Sequence, residues 1–197
     1  MQPLPNEVRR VVEEAQALIA AAWHTANRRR FNRLLDWARQ LLQPLADEGV
    51  GEAMWVVASL PQRAGEGITN EEFDRRHELN ARAAASAGSA AAMFFLGCQL
   101  DTEPTITEST NFFRTAAEKG HTYSKWCYGL NLLSGRGIPR NEELGLRFIR
   151  EAGEEHFEGA IQFMSHAYSS GTYGLPKDEK VAASWLLKLK DKSLIRY

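Results

Sequence analysis

The stretch Glu118-Lys119-Gly120-His121-Thr122-Tyr123-Ser124 decides the reading of this chain, because it recurs. Its counterparts are Asp47-Glu48-Gly49-Val50-Gly51-Glu52-Ala53, Ser86-Ala87-Gly88-Ser89-Ala90-Ala91-Ala92 and Glu154-Glu155-His156-Phe157-Glu158-Gly159-Ala160. Each has a turn residue followed four positions later by Ala or Ser. The turn residues Gly49, Gly88, Gly120 and His156 lie 39, 32 and 36 residues apart. A period in the thirties with slight length variation marks a paired-helix solenoid. Glycine suits a helix C-terminus that needs φ > 0. His156 departs from that pattern.

The flanks repeat too. Four and three residues before the turn stand Leu45-Ala46, Ala84-Ala85, Ala116-Ala117 and Ala152-Gly153, and eight before it Leu41, Asn80, Phe112 and Phe148. The fifth residue after the anchoring Ala or Ser is Ala58, Gly97, Gly129 or Ser165, always small. Helices approach closely only where side chains are small, and a larger residue one turn away fills the gap. The second half of each unit is a loop and a new helix. Gly135-Arg136-Gly137-Ile138-Pro139 precedes Asn141-Glu142-Glu143, and Gly171-Thr172-Tyr173-Gly174-Leu175-Pro176 precedes Asp178-Glu179-Lys180. Gly65-Glu66-Gly67-Ile68 precedes Thr69 and Glu72, which have capping-box spacing. Asp101-Thr102-Glu103-Pro104-Thr105 replaces the glycines in the third unit. The pattern predicts an all-α chain of about five antiparallel helix pairs, with helices over 7–24, 28–47, 52–62, 70–87, 90–101, 107–118, 122–134, 141–153, 157–170 and 178–190.

Ser124, Tyr128, Gly129, Leu132, Gly135, Gly137, Ile138 and Pro139 form one motif. It returns through Ala160, Met164, Ser165, Tyr168, Gly171, Gly174, Leu175, Pro176 and Trp185. The motif resembles the Sel-one-like repeat, a cousin of the tetratricopeptide repeat. The match is good from Gly120 onward and fair from Gly49 to Gly120, whereas residues 1–48 match only as a helix pair. The resemblance implies a right-handed α-solenoid, a superhelix of helix pairs whose members act as scaffolds and adaptors without catalytic residues of their own. The expected organisation is one domain over 1–197, with a divergent pair at 1–48 and repeats over 49–197.

Composition narrows the classes. The chain has 197 residues, 44% hydrophobic and 25% charged, which is the balance of a folded protein. With 24 basic and 25 acidic residues the formal charge is −1, so no overall field draws it to nucleic acid or anionic membrane. Cys98 and Cys127 are too few for a disulfide framework and fit a reducing compartment. Met1 to Glu7 has no basic n-region, and the apolar run Ala17–Trp23 is short and follows Glu13 and Glu14. The expected location is the cytoplasm.

Signals for chemistry are sparse. His24, His77, His121, His156 and His166 show no ligand spacing, and no metal or cofactor is expected. The glycine pairs at 65/67 and 135/137 precede helices as phosphate loops do, but they recur with the repeat and read as structural. Arg28-Arg29-Arg30, with Arg33, is the one basic cluster. It follows the first helix, where cations complement the C-terminal dipole before fanning into solvent. Basic residues do not recur per unit, which argues against nucleic acid. Cys98 and Cys127 fall on adjacent units and read as structural thiols near one another.

The function expected is therefore binding of a protein partner. On the first helix of each unit the anchor, fourth, fifth and eighth positions face the interior. The second, third and sixth point away, toward a concave surface. They hold Trp55, Val56 and Ser59; Phe94, Phe95 and Cys98; Trp126, Cys127 and Leu130; and Gln162, Phe163 and His166. Trp126 and Phe163 are the expected anchors, flanked by Gln162 and His166. The competing reading is that these rings pack between first helices as core. A partner could be a component of signalling or secretion, or a bacterial toxin that the chain occludes as an immunity protein. The alternative class is a nucleic-acid reader or an enzyme on the same scaffold. At the C-terminal end Trp185, Leu186, Leu187, Leu189, Leu194, Ile195 and Tyr197 call for cover by the tail or by self-association.

Overall fold

The computed structural model describes residues 5–61 and 69–190. The predicted loop glycines Gly65 and Gly67, with Ile68, and the tail residues Leu194, Ile195 and Tyr197 lie outside them. Ten α-helices account for most of the described residues, and no strand is present among them. They are α1 (Asn6–Trp23), α2 (Arg28–Asp47), α3 (Gly51–Ser59), α4 (Asn70–Ser86), α5 (Ala90–Gln99), α6 (Ile106–Glu118), α7 (Thr122–Ser134), α8 (Glu142–Glu154), α9 (Glu158–Ser170) and α10 (Glu179–Leu187), with a 3-10 turn at Lys188–Lys190. The expected spans are met within two residues except at the end of α10, expected to reach 190 but passing into the 3-10 turn after Leu187, and at the end of α3. That helix was expected to reach 62 and stops at Ser59, because Leu60 is extended at φ −66° and ψ 138°. Pro61 follows, and its ring disfavours helical backbone in the residue before it.

The four recurrent turns have one geometry. Gly49, Gly88, Gly120 and His156 sit at φ of 82°, 98°, 89° and 63°. The next amide then donates to the carbonyl five residues back: Val50 to Leu45 and Ser89 to Ala84 at 2.9 Å, His121 to Ala116 and Phe157 to Ala152 at 3.0 Å. The turn residue itself donates three back, to Ala46, Ala85, Ala117 and Gly153. This double bond pattern satisfies the last carbonyls of a helix. His156 adopts it without being glycine, so the boundary stands.

Residues 1–92 and 93–197 form two compact units. In the first, α1, α2 and α3 meet through Val12, Ala15, Ala38, Leu42 and Ala53, with a smaller cluster of Ala22, Leu35 and Leu60 beside it. The Glu52 carboxylate accepts from Ser89 Oγ at 3.0 Å and from the Ala90 amide at 2.9 Å, capping the start of α5. Thr69 Oγ1 accepts from the Glu72 amide at 3.2 Å, half of the expected capping box.

In the second unit α7 and α8 touch backbone to backbone. A Cβ at Gly129 would lie 2.9 Å from the Gly145 carbonyl and 2.6 Å from Ile149, and one at Gly145 would lie 2.9 Å from the Gly129 carbonyl. Around this contact Leu133, Leu146, Ile149, Ile161, Met164 and Trp185 form the core. Lys125 is buried and pairs with Glu155 at 2.5 Å and Glu151 at 3.3 Å, while Thr122 Oγ1 donates to Glu155 at 2.6 Å. Burial alone would lower the Lys125 pKa, but the two carboxylates outweigh it and the net shift is upward.

One packing expectation fails by a single position. The buried residues stand seven before the turn, not eight: Leu42, Ala81, Phe113 and Ile149 are all buried, and Phe113 and Ile149 are the side chains that face Gly97 and Gly129. Of the eight-before residues Asn80 is exposed, Leu41 and Phe112 are half-buried, and Phe148 is buried. A count from the turn slips because a helix turns 3.6 residues at a time.

Candidate functional site

Why the first helices present aromatic residues follows from what they bury. In α7, Ser124, Tyr128, Gly129, Leu132 and Leu133 are buried, leaving Trp126, Cys127 and Leu130 half-buried. In α9, Ala160, Ile161, Met164 and Ser165 are buried, Phe163 is half-buried, and Gln162 and His166 are exposed. In α5, Phe94 and Phe95 are half-buried and Cys98 is exposed. None of the expected outward residues is buried.

Within residues 93–197 the rings join into a ladder. Phe94 lies 5.6 Å from Tyr123, Tyr123 4.9 Å from Phe157, and Phe157 5.6 Å from Trp126. Trp126 meets Phe163 edge-on at 5.8 Å, and Phe163 reaches Tyr173 at 5.3 Å. The buried Phe113 anchors the Phe94 end at 6.0 Å. Centroids at this separation in tilted and edge-on poses are attractive pairs. The structure thus brings together Phe94, Trp126 and Phe163. It adds His121, Tyr123, Phe157 and Tyr173, which the outward-position rule did not select. His121 and Phe157 both stand three residues before the small anchor, at the N-caps of α7 and α9, so a rule extended to that position would have found them.

The other expected residues take separate places. Trp55, in residues 1–92, packs its ring on His77 at 5.1 Å. Leu130 leans on the core of the second unit. Gln162 donates to Glu158 on its own helix at 2.8 Å, and His166 is 3.5 Å from Ser170 Oγ.

Ionisable chemistry on this face is muted. His121 caps α7, with Nδ1 accepting from the Ser124 amide at 3.3 Å, and its ring lies 4.9 Å from Phe94. Burial lowers its pKa below 6.5, opposed by Glu155. Burial also pushes the Cys127 thiol up to about 12, with further contributions from Cys98 and Asp101, and raises Cys98 as well. Both cysteines are free thiols; the half-buried Cys127 suits a packing role, whereas Cys98 is exposed. Among the described residues no group of three or more His, Cys, Asp or Glu side chains is placed to hold a metal ion. No described helix is long and apolar enough to cross a membrane.

A cleft of about 720 Å³ opens at the Tyr173 end of the ladder, lined by Glu143, Leu144, Arg147, Arg150, Tyr173 and Leu175. The Gly135–Gly137 loop is structural, as its recurrence suggested. Gly137, at φ 68°, leaves no room for a Cβ, which would sit 2.7 Å from the Ile106 carbonyl. Asn131 donates to Thr110 at 2.9 Å, Thr110 to the Arg136 carbonyl at 3.2 Å, and Arg136 grips Asp101. At the C-terminal end Trp185 is buried but Leu186 and Leu187 are 46% and 55% exposed.

The arginine cluster contradicts its expected explanation. α1 ends at Trp23, and Arg28, Arg29 and Arg30 form the first turn of α2, behind the Asn27 cap. They lie at the positive end of a helix dipole rather than its negative end.

The described residues form an all-α repeat fold of paired helices, with a ladder of rings along the first helices of the second unit. No protein-family model matches the chain, and no protein of established function matches its sequence. Solved structures do. A Sel1 repeat protein from Oxalobacter formigenes superposes with a TM-score of 0.69 at 17% identity, covering 93% of this chain and 74% of that one. A protective antigen present in uropathogenic Escherichia coli strains, displaying an SLR fold, gives 0.61 at 20% identity, covering 91% of this chain and 40% of that one. The chain has the Sel1-like repeat fold.

Proposed function

We propose that this chain is a non-catalytic protein-interaction module whose partner lies along the aromatic ladder. Trp126 and Phe163 serve as anchors, with Phe94, Phe95 and Leu130 extending the apolar surface and Gln162 and His166 as flanking polar contacts. The observation that supports it is the run of half-buried rings from Phe94 to Phe163 on one face of the first helices. Indole and phenyl rings left partly wet are the residues that dominate binding energy when a partner covers them. An extended or helical segment with apolar anchors fits such a surface. Trp55 offers a second, separate contact in residues 1–92. An adaptor in signalling or secretion and an immunity protein that occludes a toxin both use a surface of this kind, and the neighbouring gene separates them.

Trp126→Ala tests the reading. Loss of partner capture from native lysate with an unchanged melting curve is expected. A large fall in Tm with capture retained assigns the ring to the core and removes the proposed surface.

A further inference from the structure

The solvent face of α2 carries a patch that the ladder does not explain. Arg29, Arg33 and Trp37 form one stripe at four-residue spacing, opposite the buried Leu35, Ala38 and Leu42. Arg28 and Arg30 flank it, whereas Trp23 lies on the other side of α2, its ring 5.3 Å from Phe31. Trp23 is 64% and Trp37 52% exposed. Arg28, Arg29, Arg30 and Arg33 are exposed, and none has a carboxylate partner among the described residues. The first turn of α2 contains no acidic residue, so three of these cations add to an end of the helix that is already positive. Mutual repulsion and the helix field both oppose the arrangement, and the Trp37 indole is left half in water. A ligand of opposite charge is attracted by both the helix field and the clustered guanidinium groups and offsets these costs.

We infer that this face docks a short acidic segment of a protein partner, in which carboxylates alternate with apolar side chains. Guanidinium forks take carboxylates in bidentate pairs, and Trp and Arg are the residue types most enriched at interface anchor points. The segment is short because the positive area is short. Elsewhere in the same unit exposed Glu13 and Glu14 on α1 and Glu71 and Asp74 on α4 are interspersed with exposed Arg9, Arg10 and Arg75, so no run of one charge sign extends the patch. That separates this occupant from nucleic acid and from an anionic membrane. The inference rests on the reading of the chain as a protein-interaction module but concerns a different surface.

The experiment uses the full chain and three probes: a labelled peptide of glutamates interrupted by leucines, single-stranded oligouridylate, and vesicles containing phosphatidylserine. The peptide binds at low salt and weakens steeply toward about 0.5 M, where screening reaches only a few ångströms. Arg29→Ala with Arg33→Ala lowers peptide affinity about tenfold or more without lowering the melting temperature. Trp37→Ala weakens binding at high salt as well as low, because the ring's contribution is not screened. Trp126→Ala binds the peptide as wild type does. Absence of peptide binding overturns the inference, as does equal binding by the arginine double variant or equal loss in Trp126→Ala. Tighter retention of oligouridylate or vesicles than of the peptide also overturns it.

Discussion

Ala58 and Gly129 occupy the same position of the repeat and meet different surroundings. Gly129 lies against α8, where Gly145 and Ile149 leave no space for even one carbon. Ala58 lines a cleft of about 210 Å³ together with Arg39, Arg76, His77 and Asn80. The repeat signature therefore specifies that a small residue stands there, and the facing helix decides whether the space closes. α8 offers a glycine and α4 offers long polar side chains. Backbone contact follows in residues 93–197, and an open, polar notch follows in residues 1–92.

The sharpest way to break this contrast is to enlarge both positions. Gly129→Leu forces a side chain into a backbone contact and should lower stability by about 3 kcal/mol, or roughly 6–12 °C in Tm. Ala58→Leu has room and should shift Tm by about 2 °C or less. Equal losses in thermal melts would mean that the notch is closed in solution. A second pair compares the two carboxylate ties. Glu155→Ala strips the buried Lys125 of its nearer partner and should cost about 2 kcal/mol, moderated because Glu155 is itself 36% exposed and Glu151 remains. Glu52→Ala removes a cap from α5 and should cost about 1 kcal/mol. Denaturant melts that reverse this order would show that the first unit, not the second, carries the stronger tie.

The helix pairing was legible because its signals are local. Turn glycines, small anchors and acidic first turns each act within one or two turns of helix, and even His156 was found by its register. What escaped depends on partners across helices. Gly145 has no sequence mark of its own and matters only because Gly129 faces it. Tyr123 and Tyr173 join the ladder by the path of the chain around them, which no period encodes. The gap-filling residues were missed by one position, since counting back from a turn cannot track a 3.6-residue helix to the nearest residue. The arginines were assigned to the wrong helix end because an Arg run between two helices is ambiguous until Asn27 is seen capping α2.

A smaller effect separates the units by pH. His121 accepts the Ser124 amide only when Nδ1 is unprotonated, and burial lowers its pKa from 6.5. A group with a depressed folded pKa stabilises above its unfolded value, and that contribution is lost as pH falls through the folded pKa. Tm should hold above about pH 6.5 and begin to fall below it, before most carboxylates titrate. His121→Asn keeps a capping side chain without the titration and should flatten this segment of the curve. An unchanged slope in that variant would assign the acid sensitivity to another group.

The smallest effect is also opposite in sign. If the arginines of α2 are kept for binding, they are kept against stability, and replacing one should help the fold. Arg29→Glu puts an acidic residue in a first turn that has none and removes one of three adjacent cations. Both changes favour the helix dipole, so stability should rise by about 0.3–1 kcal/mol, or roughly 1–3 °C in Tm at low salt, with the gain shrinking as salt is added. Its counterpart in the second unit is Glu142→Arg, which puts a cation into the already acidic first turn of α8 and should lose a similar amount. A fall in Tm for Arg29→Glu would show that the arginines hold the fold together. The patch would then need no ligand to explain it.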